Sequence, residues 1–171
     1  MKYTRFEDLP VWRAAIDMAV SIFDMTEDKS FRFKGDIANQ IQRAGLSVSN
    51  NIAEGFERGT SQELITFLYI ARGSAGEVRS ILCLLERMDA FAHLKSQILN
   101  LKSSAESISR QIRAWADSLQ QSEIKGQRYL TEQSRDSFQG KKRAEAVMAQ
   151  LKAIYPGHGV KKPAGDDARE Q

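Results

Sequence analysis

The segment Leu94–Leu119, L-K-S-Q-I-L-N-L-K-S-S-A-E-S-I-S-R-Q-I-R-A-W-A-D-S-L, decides the fold. Its apolar residues Leu94, Ile98, Leu101, Ala105, Ile108, Ile112, Trp115 and Leu119 alternate steps of four and three without a break. That rhythm keeps one face of an α-helix turned toward a partner along its whole length, as in the seam of a helix bundle. On the opposite side Lys102–Glu106, Glu106–Arg110 and Arg113–Asp117 stand at i,i+4, the spacing of a solvated, ion-paired surface.

Three more helices lie upstream. Thr60 and Glu63 form a capping-box pattern, and after them Leu64, Phe67, Leu68, Ala71, Ala75, Val78, Leu82 and Leu85 make a long core stripe. Gly73 and Gly76 interrupt its other faces. A glycine inside a helix costs about 1 kcal/mol relative to alanine, which makes close packing the expected reason for both. Gly59 is placed to end the preceding helix. That helix starts near Gly35 or Asp36 and has its stripe at Ile37, Ile41, Ala44, Val48 and Ile52. Ala38, Gly45, Leu46, Ser49 and Ala53 are small or apolar where an exposed helix would carry Lys and Glu, so a second subunit is expected to cover them, with Leu46, Ser49 and Ala53 in the interface. The first helix opens at Asp8-Leu9-Pro10, with Asp8 available as a cap and Pro10 in the first turn. It carries two adjacent stripes, Trp12–Ile16–Ala19–Phe23 and Ala15–Met18–Ile22–Met25.

The reading is therefore all-α: an antiparallel up-down four-helix bundle over residues 1–120 and a basic, largely disordered tail over 121–171. After Leu119 the periodicity fails, and only Ala144, Val147, Met148, Leu151 and Ile154 suggest a short helix near 141–154. The net charge of +3 divides unevenly. Lys and Arg balance Asp and Glu at 15 each in residues 1–120, whereas the tail holds 10 against 7. Contact with a polyanion then depends on the tail, or on local patches of the bundle.

Catalytic and metal chemistry find little support. A carboxylate-bridged di-metal bundle needs Glu-x-x-His pairs, but Ala90 stands three residues before His93, and His158 lies in the tail. There is no glycine-rich phosphate loop, and no nucleophile and base can be paired. We expect no enzyme activity, no metal and no cofactor. Cys83, between Ile81, Leu82, Leu84 and Leu85, reads as a buried thiol. No apolar run approaches the roughly 20 residues of a membrane span, and the start lacks a secretory pattern, so the cytoplasm is the expected location. Gln40, Arg43, Ser47, Asn50, Asn51 and Glu54 form a polar row on the second helix, explained either as hydrogen bonding to neighbouring helices or as a ligand site.

The stretches F-E-D-L-P-V-W (Phe6–Trp12), Q-I-Q-R-A-G-L-S-V-S-N-N-I-A-E-G (Gln40–Gly55) and F-L-Y-I-A-R-G-S-A-G-E (Phe67–Glu77) closely resemble the four-helix-bundle proteins encoded in intervening sequences of bacterial 23S rRNA genes. That family is similar in fold to the accessory variability protein of diversity-generating retroelements. The resemblance implies a ring-like homo-oligomer, a pentamer, associated with RNA or DNA, and a reverse transcriptase as a possible partner. On this reading Arg43, Arg58, Arg72 and Arg79 are candidate nucleic-acid contacts on the bundle, and Lys141, Lys142 and Arg143 are candidate contacts on the tail. The competing reading is a protein scaffold that binds no nucleic acid, in which the arginines only pair with neighbouring glutamates.

Overall fold

A computed structural model describes residues 3–32 and 34–121, together with Arg143, Ala146, Val147 and Ala149. Four α-helices occur in the described part of the bundle: α1 (Pro10–Thr26), α2 (Gly35–Glu57), α3 (Ser61–Leu85) and α4 (Lys95–Gln120). Each packs against its neighbour in sequence, and α4 returns to α1, so the four close into an up-down bundle. The chain separates into two units, Met1–Arg128 and Tyr129–Gln171. Arg143, Ala146, Val147 and Ala149 of the second unit are helical and exposed. The remainder of the expected tail, including the linker, lies outside the described residues.

The core is assembled from the stripes of α2, α3 and α4. Ile41, Val48, Ile52, Leu68, Leu82, Ile98 and Ile112 are all fully buried, each such side chain contributing roughly 1.5–3 kcal/mol of apolar transfer free energy. On α1 the choice falls on Ala15, Met18, Ile22 and Met25, with Ala19 beside them. Trp12 and Ile16 sit at the flank, and Phe23 is exposed. Two of the helices approach closely through glycines that sequence spacing did not single out for this role. A Cβ on Gly45 would lie 2.7 Å from Ile22 Cδ1, and one on Gly55 would lie 2.7 Å from Phe67 Cβ. Thus Gly45 serves contact between α1 and α2 inside the chain. Gly73 and Gly76 have the opposite surroundings, since nothing lies within 4 Å of a Cβ at either, and the close packing expected of them is not made within this chain.

The ends follow local chemistry with two departures from expectation. Thr60 caps α3, its Oγ1 accepting from the Glu63 amide at 3.2 Å and bonding the Glu63 carboxylate at 2.8 Å. By contrast, α2 ends at Glu57 with Arg58 in an extended conformation as its cap, and no described glycine takes positive φ, so Gly59 makes no left-handed cap. Asp8 does not cap α1 either; its carboxylate pairs with Arg13 at 3.2 Å, and Pro10 supplies the first turn after Leu9. At one end of the bundle Phe31 and Phe91 pack edge to face at 4.7 Å, and above them His93 Nε2 meets Asp28 Oδ2 at 3.2 Å. Asp28 also accepts from the Ser30 amide. That bond, followed by the contact with His93, lowers its carboxyl pKa to about 2.

Candidate nucleic-acid and subunit interfaces

The polar row of α2 splits in two. Asn51 Nδ2 donates to the Ser47 carbonyl at 2.7 Å and to Ser47 Oγ at 3.0 Å. Ser47 Oγ lies 2.9 Å from Ser74 Oγ, which itself donates to the Ile70 carbonyl at 3.1 Å. With the Ser74 proton engaged there, Ser47 is the donor to Ser74, and the chain of hydrogen bonds ties α2 to α3. These side chains are occupied in holding helices together. Gln40, Arg43 and Asn50 remain exposed. Glu54 is taken by Arg58 at 2.6 Å rather than by Arg43, and among the described residues no carboxylate pairs with Arg43.

The four bundle arginines do not form one patch. Arg58 is held by Glu54 and lies 5.1 Å over the Phe67 ring. Arg79 reaches across to Glu106 of α4 at 3.9 Å, and Arg72, two turns earlier on the same flank of α3, has no carboxylate partner among the described residues. Arg43 stands apart on α2. On the tail, Lys141 and Lys142 lie outside the described residues, while Arg143 is helical and exposed.

A groove of about 430 Å³ runs between α3 and α4, lined by Gly76, Arg79, Ser80, Cys83, Lys102, Ser103 and Glu106. Cys83 is only half-buried at its edge, contrary to its expected place in the core, because Leu82 and Leu85 take the inward positions of that turn. Lys102 bonds Glu86 across the seam at 2.5 Å instead of pairing with Glu106 on its own helix. The bond raises the Lys102 pKa and lowers that of Glu86. Glu106 in turn serves both Arg110 at 2.7 Å and Arg79. The i,i+4 pairs expected on α4 are made by Arg110 with Glu106 and by Arg113 with Asp117 at 3.5 Å, and only Lys102 departs from that pattern. Charge counted helix by helix is uneven. α1 carries one cation against two carboxylates and α2 one against three, whereas α3 carries two against two and α4 four against two. The neutral bundle is therefore electrically two-sided.

Of the three expected interface residues, Leu46 is 41% exposed and Ala53 half-buried. Ser49 is fully buried by its own chain, its hydroxyl donating to the Leu46 carbonyl, and it has no surface to offer a second subunit. Ile70 and Leu84 on α3, at 47% and 49%, add apolar surface that periodicity hid among the core positions of the same helix. Among the described residues no three His, Cys, Asp or Glu side chains gather as a metal site would require, and no helix is long and apolar enough to cross a membrane.

Comparison with known proteins places these features. A protein of unknown function from the S23 ribosomal protein family of Bacteroides thetaiotaomicron, solved by crystallography, shares the fold at a TM-score of 0.55 and 23% identity, over 62% of this chain and 97% of that one. Among curated proteins none gives a significant match. The model of the 23S rRNA-intervening sequence proteins matches residues 7–114, which take in nearly all of the four helices. The chain belongs to the 23S rRNA-intervening sequence protein family.

Proposed function

We propose that the protein is a non-enzymatic, cytoplasmic homo-oligomer, a pentameric ring, that associates with RNA or DNA, in the setting of an rRNA intervening sequence or as an accessory to a reverse transcriptase. The observation that carries this reading is the placement of charge: a balanced bundle continues into residues 121–171, which hold the whole basic excess, 10 Lys and Arg against 7 Asp and Glu. Each subunit of an oligomer adds one such arm, so weak phosphate contacts sum by avidity. Family membership and the unpaired Arg43 and Arg72 support the same reading. The test is purification of the full-length protein without nuclease. Co-purifying nucleic acid, seen as excess ultraviolet absorbance and removed by high salt, is the expected result, and its absence from preparations made at low salt would overturn the proposal.

A second reading, a scaffold ring without nucleic acid, draws on the exposed Ile70 and Leu84 and on the ion pairs that occupy Arg58 and Arg79. It predicts clean protein in the same experiment and a stable oligomer in light scattering.

A further inference from the structure

The groove between α3 and α4 brings cations of two helices together. Arg79, Lys102 and Glu106 line it, and further along the same two helices come Arg72 of α3 and Arg110 and Arg113 of α4, so that five cations share the seam with three carboxylates, Glu86, Glu106 and Asp117. One of the three is shared: Glu106 serves both Arg79 and Arg110. The contacts Tyr69–Gln120, Arg79–Glu106 and Glu86–Lys102 fix the antiparallel register of the two helices, and that register sets Arg72 level with the α4 turn carrying Arg113 and Asp117. From Lys102 to Arg113 the row of cations extends about 16 Å at the α-helical rise of about 1.5 Å per residue. Between them the groove floor is made by Gly76 and the hydroxyls of Ser80 and Ser103, with no bulky side chain to keep a chain of phosphates from the arginines. A second groove, between α1 and α4, has about 260 Å³ and is lined by Asp17, Met18, Ser21, Gln97, Asn100, Leu101 and Ser104, without a single cation.

We propose that the α3–α4 groove is a track for a nucleic-acid phosphodiester backbone, in which Arg72, Arg79, Lys102 and Arg113 contact successive phosphates and Gly76 keeps the floor open. This rests on the nucleic-acid reading above and assigns the bundle's share of binding to one seam. The exposed Arg43 and the Phe67-stacked Arg58 lie outside it. Backbone contacts carry no base information, so the track binds without sequence preference and loses affinity as salt rises.

Two glycines of α3 make a matched pair of tests in the full-length protein. Gly76→Glu places a carboxylate one turn from both Arg72 and Arg79, at i−4 and i+3, where it pairs with them and repels phosphate. Gly73→Glu makes the same change of charge three residues away, outside the groove lining. A Cβ meets nothing within 4 Å at either position, so both variants fold, which circular dichroism verifies. Binding is read by fluorescence anisotropy with fluorescein-labelled oligo-U and oligo-A RNA over a salt series. Gly76→Glu is expected to weaken both RNAs about five- to tenfold at low salt and to reduce the slope of log affinity against log salt by about 1.4, two single-strand phosphates. Gly73→Glu, whose carboxylate is not among the groove-lining residues, should lose clearly less affinity than Gly76→Glu and leave the salt slope nearer to that of wild type. Equal losses in the two variants would assign binding to the overall field and overturn the groove. Full binding by Gly76→Glu, beside loss in the full-length Lys141→Ala, Lys142→Ala, Arg143→Ala variant, would overturn the groove and leave the nucleic-acid reading standing. No binding by wild type at low salt would overturn both.

Discussion

Replacing glycine by alanine at different points of one bundle should move stability in opposite directions. At Gly55 the new Cβ would lie 2.7 Å from Phe67 Cβ, 3.2 Å from Leu64 Cδ1 and 3.4 Å from the Leu64 carbonyl oxygen. A Cβ is fixed to its backbone, so rotamer change at Phe67 gives no relief and α2 must move away from α3. Overpacking of this kind costs about 1–3 kcal/mol, reduced by the roughly 1 kcal/mol that alanine gains over glycine in a helix. The expected net effect of Gly55→Ala is a loss of up to about 2 kcal/mol. At Gly73 the same substitution meets nothing within 4 Å, leaving only the helix-propensity gain of up to about 1 kcal/mol. Urea unfolding followed by far-ultraviolet circular dichroism reads both, and the two midpoints should fall on either side of wild type with little change in slope. A Gly55→Ala protein as stable as wild type would refute the close approach of α2 and α3, and a destabilised Gly73→Ala would show that something covers Gly73 in the assembled protein.

Other consequences can be measured directly. Leu68→Ala removes a fully buried side chain in the first half of α3 and should cost about 2–5 kcal/mol in the same assay. Leu46→Arg puts a charge on the exposed apolar part of α2; if that surface lies between subunits, light scattering should show a smaller mass without loss of helicity. The Asp28 carboxyl, lowered to about 2 chiefly by the Ser30 amide, contributes stability that is present above its ordinary value of 3.8 and is lost as pH falls through about 2. Asp28→Asn should therefore flatten that acid limb of the stability profile.

The bundle was legible wherever one narrow stripe dominated a helix. Residues Ile98 to Ile112 and Ile41 to Ile52 were readable because a 3.6-residue period separates one face from the rest. On α1 two apolar stripes lie side by side, and periodicity cannot say which is inward; the inward one is Ala15–Met18–Ile22–Met25, with Phe23 exposed at 43%. Sequence neighbours misled at Cys83, since a helix distributes consecutive residues about 100° apart and sends Leu82 inward while Cys83 meets the groove. Glycine presented the same ambiguity in another form. It marks both the contacts at Gly45 and Gly55 and the open positions at Gly73 and Gly76, and only the neighbouring helix tells them apart. Along the α3–α4 seam the i,i+4 reading held for Arg110 with Glu106 and for Arg113 with Asp117, whereas Lys102 turns to Glu86 across the seam, a contact that exists only once α3 and α4 are set side by side.

The three-residue link Arg58–Thr60 joins two of the longest helices, α2 and α3, which also share the most extensive interface of any pair in the bundle. Closing so short a loop has little entropic cost, and the Thr60 cap starts α3 as soon as the turn is made. The α2–α3 hairpin is thus the unit whose contacts are nearest in sequence and cheapest to close, and alanine substitutions in it are expected to slow folding more than those in α1, which stopped-flow kinetics would read. That turn is held from both sides, by the Thr60 hydroxyl at the start of α3 and by Arg58, which pairs with Glu54 of α2 and lies over Phe67 of α3.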